Sequence, residues 1–241
     1  TTTSSTRTTT TTTRTTTTTT RTTTTTTRTT TTTSNLIVPS HFLRFNPNNL
    51  DSTLPGNNDY CYIIDLDFSL PFFDNSYRSI ILCIDGFINF NYSRIGAFEM
   101  NLVTTGTTNG FIYYRNVTNP NDLNTISSQV MSSPAVSSGF QATNAFVSTW
   151  YRVSNSANRV QKNTFQIILA KDANSVSYVI INYGDLNSIP QYTRIFDATD
   201  ANNNIYFDRT RPNTNVQGRF VFKIDSPRVF GIISVNFFFF W

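Results

Sequence analysis

The chain has 241 residues, 38% of them hydrophobic and 14% aromatic, with 18 basic against 14 acidic side chains. Four arginines (Arg7, Arg14, Arg21 and Arg28) lie in an acid-free Thr/Ser/Arg tract over residues 1–34, so the remainder is neutral at 14 against 14, and the pI of 9.2 reflects the tract. A neutral body with scattered cations lacks the stripe that neutralises phosphates, which argues against nucleic acid as a partner.

The tract comes first in the chain. Its arginines recur every seven residues, but a coiled coil needs apolar a and d positions, and here every position is Thr, Ser or Arg. Threonine is β-branched and a weak helix former. With nothing to bury, the segment is expected to be disordered. Its composition is that of an O-glycosylated, mucin-like stalk. Extended at ~3.1 Å per residue, it would hold a domain roughly 100 Å from its attachment. A low-complexity expansion without a role is the alternative reading. Residues 35–225 form the expected folded domain, and residues 226–241 a hydrophobic tail.

Strands dominate the body. In Tyr60 to Phe68, Ile64, Leu66 and Phe68 fall on one side, Asp65 and Asp67 on the other. Ser79 to Phe90 places Asp85-Gly86 between two β-rich runs, predicting a hairpin with a type I′ turn. Gly110 to Arg115 and Asn144 to Val153 predict further strands. Asn163 to Gly184 predicts a second hairpin around Ala173-Asn174-Ser175, and Gly218 to Asp225 a closing strand. One helix is expected, with Asn119 as N-cap, Pro120 at its first position and Asp122 in its first turn. Its apolar stripe, Leu123, Ile126, Val130 and Met131, should face a core. The fold class is therefore mainly β (α+β): antiparallel sheets in a sandwich-like domain with one packed helix.

Catalytic signatures are sparse. His41 is the only histidine, and no Gly-x-Ser-x-Gly elbow, Gly-x-Gly-x-x-Gly run or P-loop occurs. Asp65 and Asp67 share a strand face that could serve a metal or simply be the polar side of a half-buried strand. Asp197, Asp200 and Asp208 lie in an Asn-rich region with oxygen ligands suited to Ca²⁺, or in a hydrophilic turn. A hydrolase would need paired carboxylates at a defined separation, which spacing along the chain does not establish. No enzyme activity and no cofactor are expected. Cys61 and Cys83 would form a disulfide in a secreted protein or remain two separate thiols. The longest apolar run, Val229 to Trp241, is interrupted by Gly231, Ser234 and Asn236 and falls short of the ~20 residues of a membrane span.

Several stretches together resemble the NIDO domain, the extracellular module of nidogen, alpha-tectorin and certain membrane mucins. "YRSIILCIDGFINF" is similar to the family's Y-x-S-I-x-V-N-x-N-G-x-I-S-F pattern through Tyr77, Ser79, Ile80, Gly86, Ile88 and Phe90, with Cys83 at a usual Asn position. "GFIYYRNVTNPNDL" resembles G-x-V-Y-Y-R followed by a T-D-P turn into a helix. "FQATNAFVSTWYRV", "NTFQIILAKD" and "VIINYG" follow in the family's order, making five stretches in order, and "IFDATDANNNIYF" and "VQGRFVFKID" resemble the segment that often follows, so that the likeness spans roughly residues 60 to 225. Departures occur at "NYSRIGAFEMNLV", where Glu99 stands for a Trp and Asn101 for an Asp, and in the tail, which reads as the edge of a larger multidomain architecture.

The resemblance implies an extracellular location, secreted or at the cell surface, and cell–matrix adhesion through an extracellular matrix protein or glycan. The sequons at Asn91 and Asn116 suit that setting. Tyr113, Tyr114, Trp150 and Tyr151 are the expected binding-surface residues, because Tyr and Trp are favoured at interfaces. The second reading is a carbohydrate-binding module, with exposed aromatics on sugar rings and Ca²⁺ held by the Asp197 to Asp208 region.

Overall fold

A computed structural model describes residues 39–46, 51–56, 60–104, 110–136, 139–196 and 205–226. The Thr/Arg tract, Asp197, Asp200 and the tail from 227 onward lie outside the described residues. Among the described residues thirteen strands and one helix follow in order: β1 (Ser52–Thr53), β2 (Cys61–Phe72), β3 (Asn75–Cys83), β4 (Phe87–Phe90), β5 (Ser93–Glu99), β6 (Leu102–Val103), β7 (Phe111–Val117), α1 (Pro120–Val130), β8 (Ala142–Asn155), β9 (Lys162–Asp172), β10 (Ser177–Leu186), β11 (Tyr192–Phe196), β12 (Ile205–Tyr206) and β13 (Arg219–Lys223). They build two antiparallel sheets. The first runs β1-β7-β8-β9-β10-β13, with β6 also on β8; the second runs β12-β11-β5-β4-β3-β2. The mainly-β reading with a single helix holds.

The main core lies between the sheets. Phe146, Trp150, Phe165, Ile167, Leu169, Val179, Ile181 and Phe220 from the first sheet meet Leu66, Phe72, Leu82, Ile88, Ile95 and Phe98 from the second. Trp150, 0% exposed, stacks on Phe165 with centroids 4.8 Å apart, and Phe165 stacks on Phe98 at 5.3 Å. The Trp150 indole N–H donates across the gap to the Ile84 carbonyl at 3.0 Å, and the Tyr183 hydroxyl donates to Ala97 O at 2.5 Å. Burying these polar atoms is tolerable because each finds a backbone partner.

The central strands of the first sheet are buried on both faces, as their unbroken apolar runs require. Helix α1 covers part of the outer face: Ile126 and Val130 pack with Val117, Ala145, Val147, Ile168, Ile180 and Val221. Asn119 caps the helix by accepting the Asn121 N–H, and Pro120 follows it. The stripe stops one residue early, because Met131 is the C-cap and lies 40% exposed.

Residues 39–46 cover a further part of that face as a strap. Beneath it a polar row crosses four strands in register: Thr149, Gln166, Asn182 and Arg219. All four are buried. Gln166 reads the main chain of Leu43 twice, accepting its N–H at 2.9 Å and donating to its carbonyl at 3.0 Å. Arg219 donates to His41 O at 2.6 Å and to Asn182 Oδ1 at 2.9 Å, and burial pulls its guanidinium down to about 10. The far end of the strap is fastened where Asn46 N donates to Asp51 at 2.6 Å, while Arg115 bridges Asp51 to Asp122 of α1.

One turn differs from its expectation. The β3–β4 loop has three residues, Ile84 to Gly86, with Gly86 N donating to Cys83 O at 3.3 Å. Only Gly86 of the three has positive φ, 84°, so Ile84-Asp85 form the centre of a β-turn that ends on a left-handed glycine, instead of an Asp85-Gly86 type I′ pair. A Cβ at Gly86 would meet Phe98 O at 2.3 Å. The register needs the third residue because Cys83 pairs with Phe87.

His41 donates from Nε2 to Tyr183 O at 2.8 Å, and burial, with Arg219 nearby, lowers its pKa below the ordinary 6.5. The folded state thus binds fewer protons than the unfolded state below that pH. Stability is fully present above about 6.5 and declines as pH falls toward the depressed value. Thermal melts between about pH 7.5 and 5 should show this decline in the wild type and a flatter profile in His41→Gln.

Candidate functional site

The outer face of the second sheet is where exposed side chains gather. On β2, β3 and β4 burial alternates, and the outward positions include Ile63, 75% exposed, with Ile81, Phe87 and Asn89 beside it. Two registered rows cross this face: Ile63, Ile81, Asn89 and Arg94 in one; Cys61, Cys83, Phe87, Gly96, Arg194 and Tyr206 in the other. The Cys61 and Cys83 sulfurs are joined at 2.00 Å in the second row.

Glu99 organises the β5–β11 side of this face. Simple alternation would aim it inward with Ile95 and Ala97. A β-bulge changes that: Ala97 N and Phe98 N both donate to Gly86 O at 3.2 Å, so two residues oppose one. The register on β11 shifts correspondingly between Tyr192, paired with Glu99, and Arg194, paired with Gly96. Glu99 therefore folds back over Gly96, where a Cβ would stand 2.1 Å from its Oε1.

The Glu99 carboxylate is gripped from both sides. Arg194 donates Nε to Oε1 at 2.9 Å and Nη2 to Oε2 at 3.1 Å, a bidentate pair. Arg94 donates Nη1 to Oε2 at 3.1 Å and Nε to Asn89 Oδ1 at 2.8 Å. Each guanidinium also lies over an aromatic ring, Arg94 4.1 Å from the Phe87 centroid and Arg194 4.5 Å from that of Tyr192. The hydrogen bond and charge of Glu99 hold the Arg194 pKa above its usual value. The result is a rigid plate of two arginines, one carboxylate and three aromatics, with Tyr192 and Tyr206 exposed at its rim. Rigid Tyr and Arg on an open surface are the composition of a binding face.

The aromatic residues expected to bind lie elsewhere and do not share a surface. Trp150 is the centre of the core, so its role there is corrected to packing. Tyr113 is buried and Tyr151 half-buried beneath the strap, with Phe45 5.8 Å and 5.5 Å from their rings. Tyr114 points the other way and packs against the main core. Asp65 and Asp67 are exposed on the edge strand, and no group of three metal-ligating side chains occurs among the described residues. Asp208 is committed to its own turn, accepting from Thr210 N at 2.9 Å and Thr210 Oγ1 at 2.7 Å, which lowers its pKa. Arg94, Arg194 and the outward turn of Glu99 escaped the sequence reading. The one signal was Gly96, a residue with no side chain three places before a carboxylate.

The described residues build a two-sheet antiparallel module with one helix on its outer face. The sequence model of the nidogen-like domain family, NIDO, matches residues 72–201, more than half of the chain, and the chain belongs to that family. The family is one of extracellular modules. No solved structure matches the chain. No helix among the described residues is long and apolar enough to cross a membrane.

Gly96→Ala should expel the Glu99 carboxylate from its seat and leave the two guanidinium groups facing each other. The expected loss is roughly 1–3 kcal/mol in denaturant unfolding. Glu99→Gln should lose a comparable amount while fitting the same space, and adding it to Gly96→Ala should cost little more.

Proposed function

We propose that this chain is an extracellular adhesion module that engages a matrix component through the outer face of its second sheet. The observation carrying this reading is the fixed Arg94–Glu99–Arg194 plate with its exposed tyrosine rim, set on a face that no described element covers. The first sheet, by contrast, has much of its outer face occupied by α1 and the strap. The Thr/Arg tract serves as an O-glycosylated stalk that holds the module away from its attachment, and the chain acts within a larger multidomain protein. Binding is non-catalytic.

A glycan ligand is the second reading, favoured by Tyr192 and Tyr206 beside a guanidinium, since aromatic faces and fixed donors suit a sugar ring. Its Ca²⁺-dependent form has no support from Asp208, whose carboxylate is already used.

Beads coated with the chain should adhere to decellularised matrix, and Arg94→Ala/Tyr206→Ala should reduce adhesion at least about tenfold, as expected for residues at a binding hot spot. Undiminished adhesion of that variant would remove the assignment to this face. Protease treatment of the matrix should abolish adhesion to a protein ligand, and glycosidase treatment adhesion to a glycan.

The two sequons are physically unequal. Asn91 is exposed in the β4–β5 turn at φ 52°. Asn116 sits within β7, its amide donating to Asp65 O at 3.1 Å and its Oδ1 buried without a partner. Glycosidase-dependent deamidation mapping of secreted material should find Asn91 occupied and Asn116 bare, together with O-glycans on the Thr tract.

A further inference from the structure

Two loops at one end of the domain form a single rigid unit. Residues 156–161 join β8 to β9, and residues 187–191 join β10 to β11. Fully buried Asn163 ties them: its Oδ1 accepts Asn187 N at 2.9 Å and Ser188 N at 3.0 Å, while Nδ2 donates to Ser188 Oγ at 3.3 Å. Ser188 Oγ donates onward to Gln161 Oε1 at 3.0 Å, and Asn187 Nδ2 donates to Lys162 O at 2.7 Å. Arg209 fastens the second loop from outside through Ser188 O at 3.2 Å.

This knitting presents two aliphatic side chains at the tips. Val160 follows Arg159 and precedes Gln161; Ile189 follows Ser188. They are 86% and 80% exposed, the two most exposed large hydrophobic residues of those described. A lone exposed aliphatic means little. Here each follows or precedes a member of the hydrogen-bonded Gln161–Ser188 pair, so both are preorganised at the tips of linked loops.

Four cations lie on or beside the same loops. Arg152, at φ 52° in the β8 bulge, and Arg159 are exposed. Lys162 donates to Ser154 Oγ at 2.9 Å and Arg159 O at 3.0 Å, and Arg209 stands on the second loop. The acidic neighbour is Asp185 near the end of β10; Asp208 is bound into its turn and to Arg211 at 3.6 Å. In a body of 14 basic and 14 acidic residues, this end concentrates positive charge.

Aliphatic tips flanked by Lys and Arg match a bilayer carrying anionic lipid: the tips enter the headgroup boundary and the cations meet the phosphates. An anionic polysaccharide would use the cations and have no use for Val160 and Ile189. We propose that this loop pair is a membrane-docking end that seats the domain on an anionic lipid surface, adjoining the plate of the second sheet, where Gln191 N donates to Glu99 O at 2.8 Å.

The test is co-sedimentation of the purified full chain with vesicles of phosphatidylcholine and phosphatidylserine, against phosphatidylcholine alone. The wild type should pellet with the mixed vesicles and be released by salt. Val160→Asp/Ile189→Asp should bind at least about tenfold more weakly, and Arg159→Ser about fivefold. Retention on heparin resin should survive the tip substitutions. All positions altered are exposed, and superimposable circular dichroism and melting curves verify folding. Failure of the wild type to pellet, tip variants pelleting like the wild type, or heparin retention without vesicle binding would each overturn the proposal. Matrix adhesion of the same variants is measured alongside: loss of vesicle binding with adhesion kept supports the proposal, and loss of both would assign the tips to the matrix-binding face and overturn it.

Discussion

The Trp150 indole N–H bonded to the Ile84 carbonyl is the contact on which the rest of the domain depends. It anchors the turn between β3 and β4 against the opposite sheet, with Phe165 and Phe98 stacked beside it. An anchored turn fixes Gly86, and Gly86 O receives the two amides that create the β5 bulge. The bulge rotates Glu99 outward, and Glu99 then sets the geometry of Arg94 and Arg194. A core ring thus determines a surface plate through backbone atoms alone. Replacing Trp150 with a smaller side chain would therefore disturb more than the volume it fills.

The two faces of the sandwich follow different rules, and both are written in residue pattern. The β9 and β10 segments, "NTFQIILAKD" and "SYVIINYGDL", are nearly continuous runs because each strand has a core on either side. The β2 segment alternates because one side remains open. The sequence reading could place both as strands yet not say that Gln166 and Asn182 interrupt their runs to receive a strap. Those two positions look like flaws in an apolar strand until the row Thr149–Gln166–Asn182–Arg219 is assembled, which requires registers across four strands.

Local chemistry was the most legible layer. Asn119-Pro120 specified a helix start, the β3–β4 hairpin was visible from Asp85-Gly86, and five family-like stretches in order pointed to the fold. Long-range consequences were less so. The turn type was misread because a one-residue difference in loop length depends on the pairing of Cys83 with Phe87. Trp150, Tyr113, Tyr114 and Tyr151 were grouped by composition, although strand alternation sends them to opposite faces. The parity of Glu99 was hidden by the bulge, whose cause lies on another strand.

The strap has a consequence for which letters of the sequence the fold reads. Gln166, Gln129 and Arg219 hold His41 and Leu43 by their main-chain atoms, which any residue except proline at the donating position supplies. The path of that segment is therefore fixed mainly by main-chain atoms, with the His41 ring on Tyr183 O and buried Phe42, Leu43 and Phe45 filling the groove. The recognisable family signature begins at residue 72, well after the strap, and stops at 201, before Arg219. The elements that close the outer face of the first sheet thus extend on both sides of the matched letters.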